Sequence, residues 1–301
     1  NVKKAMEKYL STITDGFRPD VIHAHSLNTS EIALWLKNQL GCPLVITTHG
    51  SDTSVPFREG QFKKIQQSAA PADAVVAVSS SLQRKLLVAG VQGDIHVILN
   101  GVSLPASIGK LPKRRLSFMQ AGNFIPQKKF DITIRAFAKL HQIYPEAELA
   151  IAGHGPEERA YKKLCQNLKI GDAVRFLGFL PNPQVLERMS QTQFFIMPSV
   201  REGFGMVYLE AMSCGCITIG TEGEGIADFI ISGKNGILVP PDEPDAIVAA
   251  VESCLSDPAY AASLAEQGRV DAGMLTWEKN AKQYLMLFEK LIRENEAKEN
   301  V

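Results

Sequence analysis

The chain predicts an α/β protein built from two doubly wound domains. Three observations carry this. Short Val/Ile-rich runs alternate with segments of helical period, the alternation stops over residues 102–115, and it then starts again. Near-continuous apolar runs set between helices belong to parallel sheets covered on both faces. With 301 residues, 45% apolar and 21% charged, the chain can bury two domain cores.

The elements follow in order. Val2, Ala5, Met6, Tyr9 and Leu10 already fall at helical spacing and no Met precedes them, so the chain is expected to begin inside a longer protein. "PDVIHAH" (19–25) reads as a strand, and "SEIALWLKNQLG" (30–41) as a helix stopped by Gly41. "PLVITTHG" (43–50) and "AVVAVS" (74–79) are strand-like; "SSLQRKLLVAG" (80–90) is helical, and "IHVILNG" (95–101) follows. "VSLPASIGKLPKRR" (102–115) holds two prolines and a basic run without periodicity, and reads as a linker. Strands are then expected at 116–121, 148–152, 174–180, 193–198, 216–220 and 236–239. Helices are expected at 130–143, 157–168, 183–190, 205–214 and 244–255. The tail from Thr276 is one amphipathic helix, with Trp277, Ala281, Tyr284, Leu285, Phe288 and Leu291 on a face. Two doubly wound domains enclose a cleft, and ligands of such sheets bind at the carboxyl ends of the strands.

Composition excludes several classes. Lys+Arg and Asp+Glu are both 32, so no net field draws the protein to nucleic acid. No apolar run approaches the ~18–20 residues of a spanning helix, and the start carries no signal-peptide pattern. The five cysteines read as reduced thiols of a cytoplasmic protein, Cys214 and Cys216 included. No G-x-G-x-x-G follows an early strand, and "SGKNG" lacks the spacing of a phosphate-binding P-loop.

The chemistry concentrates in "SVREGFGMVYLEAMSCG" (199–215). A strand ends at Ser199, Gly203-Phe204-Gly205 forms a turn, and an apolar helix begins near Gly205. Glycines let a backbone approach a ligand closely, and a helix start offers free N–H groups and a favourable dipole to a phosphate. Glu202 and Glu210 would repel phosphate, so they fit hydroxyl groups instead. Phosphate at the helix mouth with a sugar and a ribose to either side describes a nucleotide sugar. The bland alternative makes Glu202 a cap and Glu210 a solvated face residue. In "MQAGNFIPQKKFDITIRAF" (119–137), Gly122, Lys128 and Lys129 stand at another strand end, where a lysine about 4 Å from a phosphate oxygen gains about 4 kcal/mol before desolvation.

With these motifs stand "AELAIAGHGPE", "VRFLGFLP" and "NGILVPPDEPDAI". The ordered set resembles the retaining glycosyltransferases of family 4, which have the GT-B fold. The resemblance implies that Glu202 stands at the donor sugar and Lys128 at the diphosphate, with Glu210 on the ribose. It implies that Gly203, Phe204, Gly205, Met206, Gly122 and Asn123 bind the donor, and that His49 of "THGSD" lies near the transferred sugar. Catalytic roles fall to Glu202, Lys128 and His49. No metal and no cofactor are expected. Three departures stand out: Asn123 replaces a basic residue, whose charge Arg201 or Lys129 would have to supply; His154 replaces an acid; and Asp228, in Gly223-Glu224-Gly225-Ile226-Ala227-Asp228, replaces a glutamate.

The expected boundaries are 1–105 for a truncated acceptor-side domain, 106–275 for the donor-binding domain and 276–301 for a helix crossing back to the first. The expected activity is transfer of a hexosyl unit from a nucleoside-diphosphate sugar to an acceptor hydroxyl with retention, in polysaccharide or glycolipid synthesis. The alternatives are a catalytically impaired nucleotide-sugar-binding module, or an epimerase or hydrolase on the same fold. The expected partners are the nucleotide-sugar donor and a sugar or lipid-linked acceptor, with peripheral contact at the inner membrane face.

Overall fold

The computed structural model describes residues 18–50, 59–103 and 113–299. The chain divides into two compact units, Asn1–Leu99 with Glu278–Val301, and Asn100–Trp277. The helical reading of residues 2–10 and most of the expected linker lie outside the described residues.

The first unit holds a four-stranded parallel sheet in the order β1 (Ile22–His25), β2 (Leu44–Thr48), β3 (Ala74–Ala77), β4 (Ile95–Val97). Every residue of β2 and β3 is buried, as central parallel strands require. Helices α1 (Ser30–Leu40), α2 (Glu59–Ala69) and α3 (Ser80–Val88) connect them. Gly41, at φ 70°, ends α1 in the left-handed conformation that the sequence stop implied. Helix α2 has no counterpart among the expected elements, although Phe62, Ile65 and Ala69 are spaced for one face and Ile65 and Ala69 are buried. The C-terminal helix (Trp277–Glu299) belongs to this unit from Glu278 onward. Its Tyr284, Leu287 and Leu291 close a core with Val45, Ala74, Val76 and Ile98.

A polar thread runs through this core. Thr47 Oγ1 lies 2.9 Å from Tyr284 OH and 2.8 Å from His23 Nε2. Burial, with His25 and His49 nearby, pushes the His23 pKa down from 6.5 to about 4. The folded state therefore disfavours the charged imidazole. Stability is complete above the ordinary value and is lost as pH falls from 6.5 towards about 4, where the unfolded chain takes up a proton and the folded chain does not. The Tm of His23→Gln is expected to fall less steeply over that window than wild type; parallel curves in a pH-Tm series would contradict this.

The second unit is a six-stranded parallel sheet in the order β10-β9-β8-β5-β6-β7. Its strands are β5 (Arg114–Ala121), β6 (Glu148–Ala152), β7 (Val174–Gly178), β8 (Thr192–Ile196), β9 (Ile217–Thr221) and β10 (Ile237–Val239). Helices α4 (Phe130–Ile143), α5 (Glu158–Asn167), α6 (Asn182–Gln191), α7 (Met206–Ser213), α8 (Pro244–Ser256) and α9 (Pro258–Ala272) connect and cover them; the terminal helix is α10. Phe118 of β5 stacks on Phe194 of β8 at 5.2 Å and meets Phe137 of α4 edge-on at 5.7 Å, tying the sheet centre to its cover. Strands β6 and β7 extend to one side of β5, and β8, β9 and β10 to the other. The order therefore reverses between β5 and β8. A doubly wound sheet leaves a crevice at such a point, where two loops part to opposite faces.

Candidate functional site

Both loops at this reversal carry the expected residues. After β5 the chain passes Gly122 and Asn123 and makes a 3-10 turn over Pro126–Lys128. Lys129, at φ 51°, then turns the chain into α4. Gln120, buried in β5, donates from Nε2 to the Lys128 carbonyl at 2.6 Å, which fixes the turn to the strand. After β8 the chain passes Ser199 and Val200. The Val200 N–H donates to the Gln127 carbonyl at 2.8 Å and joins the two loops directly. As a result Lys128 Nζ and the Glu202 carboxylate form an ion pair whose side chains are only 20% and 16% exposed. Glu202 is thus no helix cap; its partner is the cation expected to serve the diphosphate.

Gly205 precedes α7 at φ 82° and brings no side-chain cap to its N–H groups. A Cβ there would stand 2.5 Å from the Tyr208 ring. Tyr208 is fully buried beneath the turn; its hydroxyl donates to the Met197 carbonyl and lies 2.8 Å from Ser199 Oγ. Burial, with Glu202 and Glu224 nearby, holds that phenol protonated. Phe204 is buried and Met206 is the first residue of α7.

Glu210 stands one turn into α7 and is half-buried. Burial raises its carboxyl above the ordinary carboxylate range, and a hydrogen bond donated by Asn182 Nδ2 at 2.9 Å partly offsets this. Asn182 opens α6, so the loop after β7 also reaches the Glu210 carboxylate. Gly122 leaves only the Lys128 stem beside its α-carbon, about 3.8 Å from where a Cβ would be. Asn123 is exposed in the turn. Lys129, one candidate to replace the missing basic residue, pairs with Asp242 at 2.6 Å. Arg201, the other, is exposed at φ 57°. The exposed His154 ring meets Phe179 edge-on at 5.6 Å.

His49 lies in the first unit, just past the carboxyl end of β2. Its Nε2 is 2.8 Å from Nδ1 of His25, at the end of β1. Two further residues escaped the sequence reading. His25 was legible in principle, because "IHAH" and "THG" end neighbouring strands. Glu224 was not: its carboxylate accepts from the N–H groups of Arg201 and Glu202, more than twenty positions away.

Cys214 and Cys216 are buried and free. The Cys216 thiol donates to the Met189 carbonyl at 3.1 Å, and burial pushes it up to about 11. Among the described residues no group of three or more His, Cys, Asp or Glu is arranged to hold a metal ion, and no helix is long and apolar enough to cross a membrane.

Residues 107–271 match the family described as Glycosyl transferases group 1, and residues 4–105 match Glycosyltransferase Family 4. The glycosyltransferase YqgM of Bacillus subtilis, described as uncharacterized, is 30% identical over 91% of this chain and 79% of its own length. Sucrose-phosphate synthase from Thermosynechococcus elongatus superposes with a TM-score of 0.80, at 24% identity, over 95% of this chain and 77% of its own. HepE of Anabaena, solved with UDP and glucose, gives 0.80 at 23% identity, over 95% and 81%. These structures share the GT-B fold with the present chain.

Proposed function

The chain belongs to the Glycosyl transferases group 1 family, and on that premise we propose that it moves a hexosyl unit from a nucleoside-diphosphate sugar to an acceptor hydroxyl with retention at the anomeric carbon. The observation that carries this reading is the Lys128–Glu202 pair at the strand-order reversal, with Glu202 four residues before the start of α7.

The pair is complementary to a donor. An incoming diphosphate competes for the Lys128 ammonium, and the carboxylate released from it accepts from a sugar hydroxyl. The N–H groups that open α7 face the same phosphates. Glu210 accepts from the ribose hydroxyls. In the transfer, the bond between the anomeric carbon and the β-phosphate oxygen breaks and its electron pair leaves with the diphosphate. The acceptor oxygen bonds to the same face of that carbon, and its proton passes to the departing phosphate. Lys128 and the α7 start stabilise the charge that grows on the leaving group. The alternative, nucleotide-sugar binding without turnover, draws on Asn123: an exposed amide stands where the resembling family carries a cation.

A thermal-shift panel with UDP, GDP, ADP and their common sugars tests the donor site. Ligand at about 100 times Kd adds about 2.7 kcal/mol to stability, a shift of a few degrees in Tm. The matching donor is then incubated with acceptor sugars, and the anomeric configuration of the product is read by NMR. Turnover is expected to be unchanged by EDTA. An inverted product, or activity restored only by added divalent ions, would overturn the corresponding part of the reading. Nucleotide binding without product from any acceptor would favour the binding-module alternative.

A further inference from the structure

We propose that Glu224 is a positioning residue for Glu202, an inference that rests on the donor-site reading above. Its carboxylate spans two successive backbone amides. Oε1 accepts from the Arg201 N–H at 2.8 Å and Oε2 from the Glu202 N–H at 3.0 Å. Successive N–H groups that converge in this way form an anion-binding concavity, and here the chain supplies its own anion.

Three further features show what the contact does. Arg201 is a non-glycine residue at φ 57°, a conformation that L side chains adopt only when their surroundings hold them there. The two hydrogen bonds to Glu224 act on that residue and on the next. Secondly, Gly225 lies directly against the loop: a Cβ there would stand 2.0 Å from the Gly203 carbonyl oxygen. The segment carrying Glu224 is therefore in van der Waals contact with the turn and cannot shift without moving it. Thirdly, that segment is fixed to the sheet, because the Glu222 N–H donates to the Val239 carbonyl at 3.0 Å and Gly225–Asp228 form a 3-10 turn above β9.

The Glu202 loop is thus held on both sides. Val200 is bonded to the Lys128 turn and the amides of Arg201 and Glu202 are bonded to Glu224. The Glu202 side chain can leave Lys128 for a sugar hydroxyl while its backbone stays in place. The arrangement also divides the loop by charge. The amides of Arg201 and Glu202 are occupied by a carboxylate, so the phosphates of a donor fall to the amides at the start of α7 and to Lys128.

The test uses the whole chain with Glu224→Ala and Glu224→Gln, read by hydrogen exchange and by kinetics. Amide exchange in peptides covering 200–206 is expected to quicken about tenfold or more in Glu224→Ala, the loss of two charge-assisted hydrogen bonds. Glu224→Gln keeps one acceptor oxygen and is expected to fall between. With the donor from the thermal-shift panel, kcat is expected to drop about tenfold in Glu224→Ala, with Kd for the nucleoside diphosphate alone within about twofold of wild type. Unchanged exchange and kcat would overturn the proposal. So would equal losses of kcat and nucleoside-diphosphate affinity with a lowered Tm, because Glu224 would then only support the fold. If the wild-type chain binds no nucleotide in the panel, the donor-site reading fails by itself, and faster exchange at 200–206 still supports Glu224 as the residue that fixes this loop.

Discussion

Glu202→Ala is expected to lower turnover by more than about 100-fold, and Lys128→Ala to do the same by a different route. The magnitude is that of removing one group that meets charge or polarity as it develops in a transition state, about 10²–10³ in kcat. In Glu202→Ala the donor sugar loses its acceptor, while Lys128 keeps its attraction for the diphosphate. Nucleoside-diphosphate affinity should therefore hold or rise, because the lysine no longer has an internal partner. In Lys128→Ala the leaving group loses its cation, so affinity and turnover fall together. The two side chains form one pair, and the double variant should cost much less than the sum of the single variants. Both side chains retain some exposure, so the unpaired charge reaches water and the fold should survive. Steady-state kinetics, with Tm as a control for folding, measures all of this. Either variant turning over at the wild-type rate would remove the pair from the mechanism.

Glu210→Ala is expected to weaken nucleotide binding about 10- to 100-fold, the equivalent of a hydrogen bond to a charged group at about 1.5–3 kcal/mol. The signature differs from that of Glu202. Glu210 meets the ribose in this reading, so nucleoside diphosphate and nucleotide sugar should lose affinity equally. Calorimetry with both ligands tests the point, and a loss confined to the nucleotide sugar would reassign the residue. A pH effect follows from burial. The Glu210 carboxyl is raised above the ordinary carboxylate range, so it takes up a proton at milder acidity than an exposed glutamate and ceases to be a full acceptor. Affinity should fall as pH drops through that raised value, and Glu210→Gln should flatten the dependence. The stability term has the opposite sign: burial disfavours the charged form, so this group's contribution declines as pH rises from the ordinary range through the raised value.

The sequence carried the layers well, because burial on both faces leaves a run such as "LVITT" or "AVVA" without charged residues and without polar-apolar alternation, and that can be read without tertiary knowledge. Two helices were missed. Pro258–Ala272 begins with an Asp257 cap that accepts from the Tyr260 N–H at 3.0 Å, followed by proline at the first position. That start signal was present in the sequence. Gly268 stands in the helix interior, where glycine costs about 1 kcal/mol. The structure gives the reason for Gly268: a Cβ would stand 2.7 Å from the Asn235 carbonyl oxygen. Helix Glu59–Ala69 is polar over most of its length and carries a glycine in its first turn.

By itself the sequence singled out the candidate residues of the proposed site. Glu202, Gly203, Gly205 and Glu210 are neighbours along one turn and one helix, and their spacing is a local property. Tertiary structure alone decided their partners. Lys128 reaches Glu202 because the sheet order reverses between β5 and β8 and a backbone hydrogen bond, Val200 to Gln127, joins the two loops. Glu224 reaches the same loop from beyond β9, and Asn182 reaches Glu210 from the start of α6. No pattern of period 2 or 3.6 encodes such pairings, because they depend on which strands the chain sets side by side, and long-range packing rather than local propensity selects that order.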